Sequence, residues 1–425
     1  MSTAQAKAAS MALSRRLGAR FPRRDKNMRT CSPIQPRIWK LRGSAMLLAV
    51  CLMAGMAEAA SSGHYLVTND DSTGNFVQNS VTFYRVEADG SLGLVTKVSI
   101  GVTGIAGGFF PAKRVAVLDT DSNQCVFASN AATGVIVGID SGFIVRTRAQ
   151  GSAADTGLSN GVGLAANAQY LYASFTDDSS IATFQVEPDC GLNFLGDTTV
   201  SGVQGGVIDA MALHGDMLIT TYGDGSVESF NISSGEPISN GDKQNTTAFT
   251  ASLGASYPSA IDITQDGHYA IFGDTSTSVS VEVSDLSSGR LTATKVYQTT
   301  LSLNSSNIML SPDETLLYAV NTQGDRLSAA FFDKNTGVIS GGCSSGLIKG
   351  YSQNFSYLAG LAFATNTGTG GEVYVAEFGA PSSIAMIRVT SAAERCTLHE
   401  VPNSPAADPN SSGLLSIASF PPRAF

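Results

Sequence analysis

Seven copies of one pattern of turns and apolar runs fill most of this chain, and no other feature restricts its possible folds as strongly. In each copy a polar turn leads into an apolar run, a second turn into an alternating run, and a glycine-containing turn into a last run. The clearest copy starts at Ser311 and reads SPDETLLYAVNTQGDRLSAAFFDKNTGVIS. Such a repeat indicates supersecondary units that bury their apolar faces against one another.

The spacing of the units fits four short strands in each. The residue that ends the first apolar run aligns the copies, and successive copies lie 61, 45, 47, 51, 48 and 56 residues apart. The aligned residues are Asn69, Asn130, Phe175, Tyr222, Gly273, Asn321 and Glu377. Blades of four antiparallel strands have this period, so the sequence predicts an all-β, seven-bladed β-propeller. A pair of β-sandwiches is the alternative, but it would not need one repeat seven times.

The two ends of the repeat region complement each other. The first unit starts at His64 directly on its second strand, so it lacks an innermost strand. The segment from Ser412 to Phe420 is a strand-like run left over after the seventh unit. We expect this segment to supply the missing innermost strand of blade one, which closes the ring and leaves no open edge.

Residues 1–59 are typical of a leader with a signal peptide, and residues 60–425 of a single propeller domain. Basic residues precede an apolar run, Ala45 to Met56, which is followed by Ala57-Glu58-Ala59. This order is the signature of a secretory signal peptide. The run is also far shorter than the roughly 20 residues that span a bilayer. We therefore expect cleavage near Ala59, a secreted or periplasmic protein, and no membrane span.

Charge is divided unequally along the chain. The leader holds 11 basic residues against two acidic ones, and the remainder holds 15 against 33. A body this acidic is repelled by phosphate backbones, which excludes nucleic acid as a partner. The partners left open are a small molecule, a carbohydrate or a protein.

Four cysteines follow the leader, and their unit positions suggest how they pair. Cys125 and Cys190 belong to the neighbouring second and third units, and Cys343 and Cys396 to the sixth and seventh. Only this pairing joins adjacent blades twice. We expect Cys190, Cys343 and Cys396 each to precede the outermost strand of its blade. Adjacent blades move apart toward the rim of a propeller, whereas a disulfide needs its two Cα atoms close together, and this argues against both bridges. For Cys125, which stands in an apolar run, the alternative is a buried free thiol. There is no Cys/His cluster, so we expect neither a metal nor a cofactor.

Three segments of the sixth unit carry a resemblance to a known family. Ser311-Pro312-Asp313, Leu317 to Asn321 and Asp333 to Gly337 resemble the turn and strand motifs of seven-bladed lactonase-like propellers. That family includes bacterial 6-phosphogluconolactonases and YVTN-repeat proteins, and the resemblance extends over residues 64–420. It implies the propeller fold and, where the family is enzymatic, hydrolysis of a sugar lactone.

The positions that carry His and Arg in the family's enzymes hold other residues here. In the fifth unit they are Ser259 and Ala260, and the position after the sixth unit's Asn321 is Thr322-Gln323. The third unit has Asn160-Gly161-Val162-Gly163 where a His is expected. We therefore expect a ligand-binding or scaffold protein. The alternative is a lactone hydrolase or isomerase for an uncharged sugar or lactone.

Charged residues follow the second strand of most units, where the loops of a propeller surround its central channel. A ring of carboxylates there would bind a polyol by hydrogen bonds or hold a cation through its oxygens. Aspartate also favours such turns for conformational reasons alone. The candidate ligand-binding residues are Asp70, Asp177, Asp224, Asp274, Arg326 and Glu377.

Overall fold

A computed structural model gives the structure of the protein. It describes residues 65–71, 78–101, 113–120, 123–130, 133–152, 162–175, 179–200, 208–245, 260–273, 280–292, 295–298, 307–320, 326–349, 357–365, 371–378, 382–392, 395–408, 413 and 416–420. The chain divides into Met1–Ala60 and Ser61–Phe425, and every described residue lies in the second unit. The predicted leader, residues 1–59, therefore lies outside the described residues and stays a prediction.

The described residues form β-strands and no helix. In chain order the strands are β1 Tyr65–Asn69, β2 Ser80–Val86, β3 Leu92–Ser99, β4 Val115–Thr120, β5 Asn123–Asn130, β6 Val135–Asp140, β7 Val145–Ala149, β8 Val162–Ala166, β9 Tyr170–Phe175, β10 Ser180–Val186, β11 Leu192–Thr199, β12 Ile208–His214, β13 Met217–Tyr222, β14 Ser226–Asn231, β15 Ile238–Ser239, β16 Gln244–Asn245, β17 Ala260–Ile263, β18 Tyr269–Gly273, β19 Ser280–Asp285, β20 Lys295–Gln298, β21 Asn307–Leu310, β22 Leu316–Val320, β23 Leu327–Asp333, β24 Val338–Ser344, β25 Tyr357–Thr365, β26 Gly371–Phe378, β27 Ser382–Ala392, β28 Arg395–Glu400, β29 Ala406–Asp408 and β30 Ser416–Phe420. In this part of the chain no helix is long and apolar enough to cross a membrane.

These strands form seven antiparallel sheets, the predicted blades. From the innermost strand outward, blade 1 is β30-β1-β2-β3, blade 2 is β4 to β7 and blade 3 is β8 to β11. Blade 4 is β12 to β15 with β16 added, blade 5 is β17 to β20, blade 6 is β21 to β24, and blade 7 is β25 to β28 with β29 added. The innermost strands contact one another in the cyclic order β4, β8, β12, β17, β21, β25, β30 and back to β4. The prediction of a seven-bladed propeller is confirmed.

The C-terminal strand closes the ring as predicted. β30 pairs antiparallel with β1, so that Tyr65 lies opposite Phe420 and Asn69 opposite Ser416. The first and last parts of the propeller are therefore joined in one sheet, which leaves blade 1 with four strands and no missing inner edge.

Two ends of the ring are distinguished below. We call one end of the ring the mouth: it is where the innermost strand of each blade begins and where its second strand finishes. The opposite end carries the turns between first and second strands and between third and fourth strands, and we call it the base. The predicted ligand-binding residues therefore belong to the mouth.

The core lies between the blades rather than in one central cluster. In blade 6 all five residues of β22 are buried, because both faces of an inner strand pack against neighbouring blades. The outermost strand β11 instead alternates half-buried and exposed residues after its first positions. The apolar runs that define the repeat are thus the strands with two covered faces.

Both cysteine pairs form disulfides between adjacent blades. Cys125 is bonded to Cys190 with a Cα–Cα distance of 5.5 Å, and Cys343 to Cys396 with a distance of 5.8 Å. Gly138 explains how blade 3 approaches blade 2 so closely, because a Cβ on it would lie 2.1 Å from the carbonyl oxygen of Cys190. The expectation that Cys343 and Cys396 precede their outermost strands is wrong, since Cys343 lies near the end of β24 and Cys396 is the second residue of β28. β24 begins directly after the turn of Asp333 to Gly337 and runs through the glycines that follow.

Candidate functional site

Four of the six predicted ligand-binding residues are described, and they lie at the mouth. They are Asp70, Asp224, Arg326 and Glu377; Asp177 and Asp274 lie outside the described residues. Arg326 is exposed and directly precedes β23. The three acidic residues differ sharply in their surroundings, so each has its own role.

Asp70 is buried and holds the strands of blade 1 together. Its carboxylate accepts hydrogen bonds from the hydroxyls of Thr68 at 2.7 Å, Ser80 at 2.6 Å and Thr82 at 2.7 Å. The ammonium of Lys97 lies 3.1 Å from it. Burial raises the pKa of Asp70, and the charge of Lys97 and the hydroxyl hydrogen bonds oppose that rise. Contacts with its own blade use both carboxylate oxygens.

The next residue, Asp71, forms a buried ion pair that joins blades 1 and 2. The guanidinium of Arg114 donates to its carboxylate, and both residues are about 1% exposed or less. Asn69 supports the contact, because its amide nitrogen donates to the carbonyl oxygens of Arg114 at 3.2 Å and Ser129 at 2.7 Å. A buried charge needs such a partner, since desolvation of an unpaired ion costs several kcal/mol. The guanidinium is therefore neutralised where it lies.

Sequence reasoning missed Arg114, although a signal for it was present. Lys113 and Arg114 directly precede the innermost strand of the second unit, where the family resemblance places basic residues. The expectation that the family's His and Arg positions hold other residues was based on the third, fifth and sixth units and left the second unit out. Lys113 also crosses between innermost strands: its ammonium donates to the carbonyl oxygen of Ile261 in blade 5 at 3.5 Å.

Asp209 is a second mouth residue that the sequence did not reveal. It is the extra residue of a bulge in β12, between Ile208 and Ala210, and only 2% of it is exposed. Its Oδ2 has no hydrogen-bond partner among the residues that the structure describes. Burial, and next the charge of Asp224, raise the pKa of Asp209 well above its usual range. Both effects favour the protonated form of its carboxyl group.

Asp224 supplies the second carboxyl group of this pair, and its charge acts on Asp209. It lies in the turn after β13, where its Oδ1 accepts hydrogen bonds from the backbone nitrogen of Ser226 at 2.9 Å and from the Ser226 hydroxyl. Nearby, Tyr222 donates to Glu228 at 2.9 Å, and burial raises the pKa of this tyrosine. Blade 4 thus combines a buried carboxyl group whose pKa is raised with a second carboxyl group in a turn.

Glu377 is the predicted residue with the most unusual titration. It is 2% exposed, its Oε2 accepts a hydrogen bond from the hydroxyl of Ser383, and its Oε1 has no partner within the described part of the chain. Burial raises the pKa of Glu377 to about 7; the Ser383 hydrogen bond opposes this rise, and the charge of Glu400 adds to it. This carboxyl group therefore changes its charge near neutral pH.

Among the described residues no group of three His, Cys, Asp or Glu side chains could hold a metal ion.

Comparison with known proteins gives the fold class. No protein-family model matches the chain, and no curated protein sequence matches it either. A solved structure of a proposed 6-phosphogluconolactonase from Bacteroides fragilis NCTC 9343 is similar, with a TM-score of 0.60 and 13% identity over 85% of this chain and 99% of that chain. A functionally unknown protein from Desulfotomaculum acetoxidans DSM 771 is similar with a TM-score of 0.58 and 12% identity, over 84% of this chain and 99% of that chain. The periplasmic gluconolactonase of Pseudomonas aeruginosa is similar with a TM-score of 0.51 and 15% identity, over 66% of this chain and 82% of that chain.

These similarities define the protein as a seven-bladed propeller of the lactonase-like fold, as the sequence motifs predict. At such low identity the similarity concerns the fold alone, and function has to be argued from the site.

Proposed function

We propose that this chain is an exported lactonase-like propeller that binds an uncharged, hydroxyl-rich ligand or lactone at its mouth. The carboxyl pair of Asp209 and Asp224 carries the proposal. A protonated carboxyl group donates a hydrogen bond, and a carboxylate accepts hydrogen bonds. Together they match the carbonyl and hydroxyl groups of a neutral ligand.

Charge at the mouth favours a neutral ligand over an anion. The guanidinium of Arg114 is already paired with Asp71, so it does not offer a free positive charge. The family's Arg and His positions hold Ser259 and Ala260 in the fifth unit. The excess of acidic residues after the leader adds long-range repulsion of anions.

Ligand-induced stabilisation tests the proposal. Glucono-1,5-lactone, neutral hexoses and 6-phosphogluconate are added to the full chain without its leader, and thermal unfolding is followed. We expect stabilisation by a neutral compound but not by the phosphate. Asp209→Asn and Asp224→Asn should abolish it. Asp333→Asn, in an exposed turn at the base, is the matched control and should leave it intact. Stabilisation by the phosphate alone would contradict the proposal.

The same pair supports hydrolysis of a lactone as a second candidate function. Asp224 would accept a proton from an attacking water while Asp209 donates a hydrogen bond to the carbonyl oxygen that gains negative charge. Opening of glucono-1,5-lactone in a pH-stat measures this activity. Turnover that falls in both Asn variants would assign hydrolysis, and binding without turnover would assign a binding protein.

Export rests on the leader sequence, residues 1–59. N-terminal sequencing of the protein released by an expressing cell tests it directly. A first residue close to position 60 is expected, and a first residue well before position 55 would contradict cleavage near Ala59.

A further inference from the structure

A cleft of about 390 Å³ opens between blades 6 and 7 at the base, away from the residues of the mouth. It lies against the turn after β21, the start of β26 and the end of β27. Residues that line it include Pro312, Asp313, Leu316, Tyr318, Phe363 and Val389. Ligand pockets commonly have volumes of roughly 300–1,000 Å³, so the cleft is large enough for a small molecule.

The repeat shows what fills the corresponding space in two other blades. Tyr172 and Tyr374 hold the same position of the repeat as Tyr318, three residues before the aligned residue of the unit. Tyr172 donates its hydroxyl to the carbonyl oxygen of Gly235 in the next blade at 3.0 Å. Tyr374 does the same with Gly90, also at 3.0 Å. A glycine turn of the following blade therefore satisfies the tyrosine in each case.

The sequence between the third and fourth strands of blade 7 lacks the glycine whose carbonyl oxygen accepts this hydrogen bond in the other two blades. The two filling glycines have φ of 85° at Gly90 and 90° at Gly235, a backbone conformation that favours glycine. The segment Ser391 to Arg395 contains no glycine, and β27 continues to Ala392, which pairs directly with Arg395. The strand thus runs on where another blade folds its turn back. Tyr318 has no carbonyl partner of this kind among the described residues.

The walls of the cleft combine aromatic surface with hydrogen-bonding groups. Phe363 provides a partly exposed aromatic ring, whereas the ring of Tyr318 is buried, because only 1% of that residue is exposed. Burial also raises the pKa of Tyr318, so its hydroxyl stays a donor. Partial burial raises the pKa of Asp313, but hydrogen bonds from Ser311 and Thr315 outweigh it and hold the pKa below its usual range. The cleft therefore offers a donor at one point and a carboxylate acceptor at another. None of the described residues that line it is basic.

We propose that this cleft binds a single neutral pyranose sugar. A pyranose places an apolar C–H face against the partly exposed ring of Phe363. One of its oxygens takes the hydrogen bond from the Tyr318 hydroxyl that a glycine carbonyl accepts in blades 4 and 1, and one of its hydroxyls donates to Asp313. Among the described lining residues there is one carboxylate and no basic side chain, which disfavours an anion. This site is independent of the ligand proposed for the mouth.

Saturation-transfer NMR on the leaderless chain tests the proposal, with methyl glucopyranoside, galactopyranoside and mannopyranoside as the probes. Two variants alter the cleft: Tyr318→Phe removes the donor and keeps the ring, and Ser391→Trp places a bulky side chain at an exposed position of its rim. Tyr374→Phe is the matched control, because it removes the same hydroxyl from a filled junction. The cleft variants and the control also carry Asp209→Asn, which should abolish binding at the mouth, so that the transfer reports on the cleft alone.

We expect transfer to at least one pyranoside in the Asp209→Asn protein and in its Tyr374→Phe derivative. Affinity should fall about tenfold in Tyr318→Phe, as loss of one hydrogen bond predicts, and binding should disappear in Ser391→Trp. Absence of transfer from all three sugars would overturn the proposal. So would unchanged binding in both cleft variants, or transfer that the wild type shows and the Asp209→Asn protein lacks, which would place the sugar at the mouth.

Discussion

Glu377 makes the stability of the propeller depend on pH in a way that one substitution should remove. Its pKa is about 7 in the folded protein, against 4.5 for an ordinary glutamate. The folded state therefore binds the proton more tightly than the unfolded state. The stability that this group contributes is fully present below pH 4.5 and is lost as the pH rises through 7.

The magnitude follows from the difference in pKa. One pH unit between the two pKa values changes the free energy of unfolding by about 1.4 kcal/mol, so the interval from 4.5 to 7 amounts to about 3 kcal/mol. Glu377→Gln resembles the protonated group, which keeps an acceptor for the hydroxyl of Ser383. We expect equal stability of both proteins at pH 4 and a variant about 3 kcal/mol more stable at pH 8.

Urea unfolding followed by circular dichroism between pH 4 and pH 9 measures the difference. The single tryptophan of the sequence, Trp39, lies in the leader, so its fluorescence would not report on the cleaved protein. Glu236→Gln replaces an exposed glutamate and serves as the control, with a curve parallel to that of the wild type. Parallel curves for Glu377→Gln as well would refute the reasoning, because the carboxyl group would then titrate alike in both states.

Three further changes test other parts of the structure. Arg114→Met leaves Asp71 buried without its partner, so the free energy of unfolding should fall by about 3–5 kcal/mol in urea melts; a loss below about 1 kcal/mol would contradict a buried pair. Deletion of residues 410–425 removes the innermost strand of blade 1, and the shortened chain should melt at a clearly lower temperature; a melt like that of the full chain would show that closure adds no stability. Serine at both Cys343 and Cys396 opens a loop of 53 residues, for which chain entropy predicts a loss of about 4 kcal/mol; four free thiols in the denatured, unreduced wild type would eliminate both bridges.

The sequence allowed the fold to be predicted because its determinants are local. Turn residues and apolar runs mark each second strand, and the aligned residues Asn69, Phe175 and Tyr222 are the last residues of β1, β9 and β13. Counting the apolar runs also shows that the first unit lacks its innermost strand and that one strand-like run remains after the seventh unit. Each of these signals depends on residues close together in sequence.

The candidate site was less predictable because burial and pairing depend on distant residues. Asp70 and Asp224 occupy similar positions after their second strands, yet Asp70 is enclosed by its own blade and Asp224 lies beside another carboxyl group. Asp209 stands in an apolar run that hides it, and only the bulge in β12 explains its position. The space beside Tyr318 depends on how the hairpin of blade 7 is built, which the sequence of blade 6 does not encode.

Closure by β30 also sets the order in which this protein can be completed. A ribosome makes the chain from its N-terminus, so Tyr65 is synthesised long before Phe420, its partner across β1 and β30. Blades 2 to 7 consist of consecutive strands and can assemble as they emerge, whereas blade 1 waits for the last strand. Until then β1 exposes an unpaired edge that invites pairing with another chain. Folding of the finished ring is therefore a post-translational event, and a chaperone that shields β1 in the interval would protect the protein when it is most prone to aggregate.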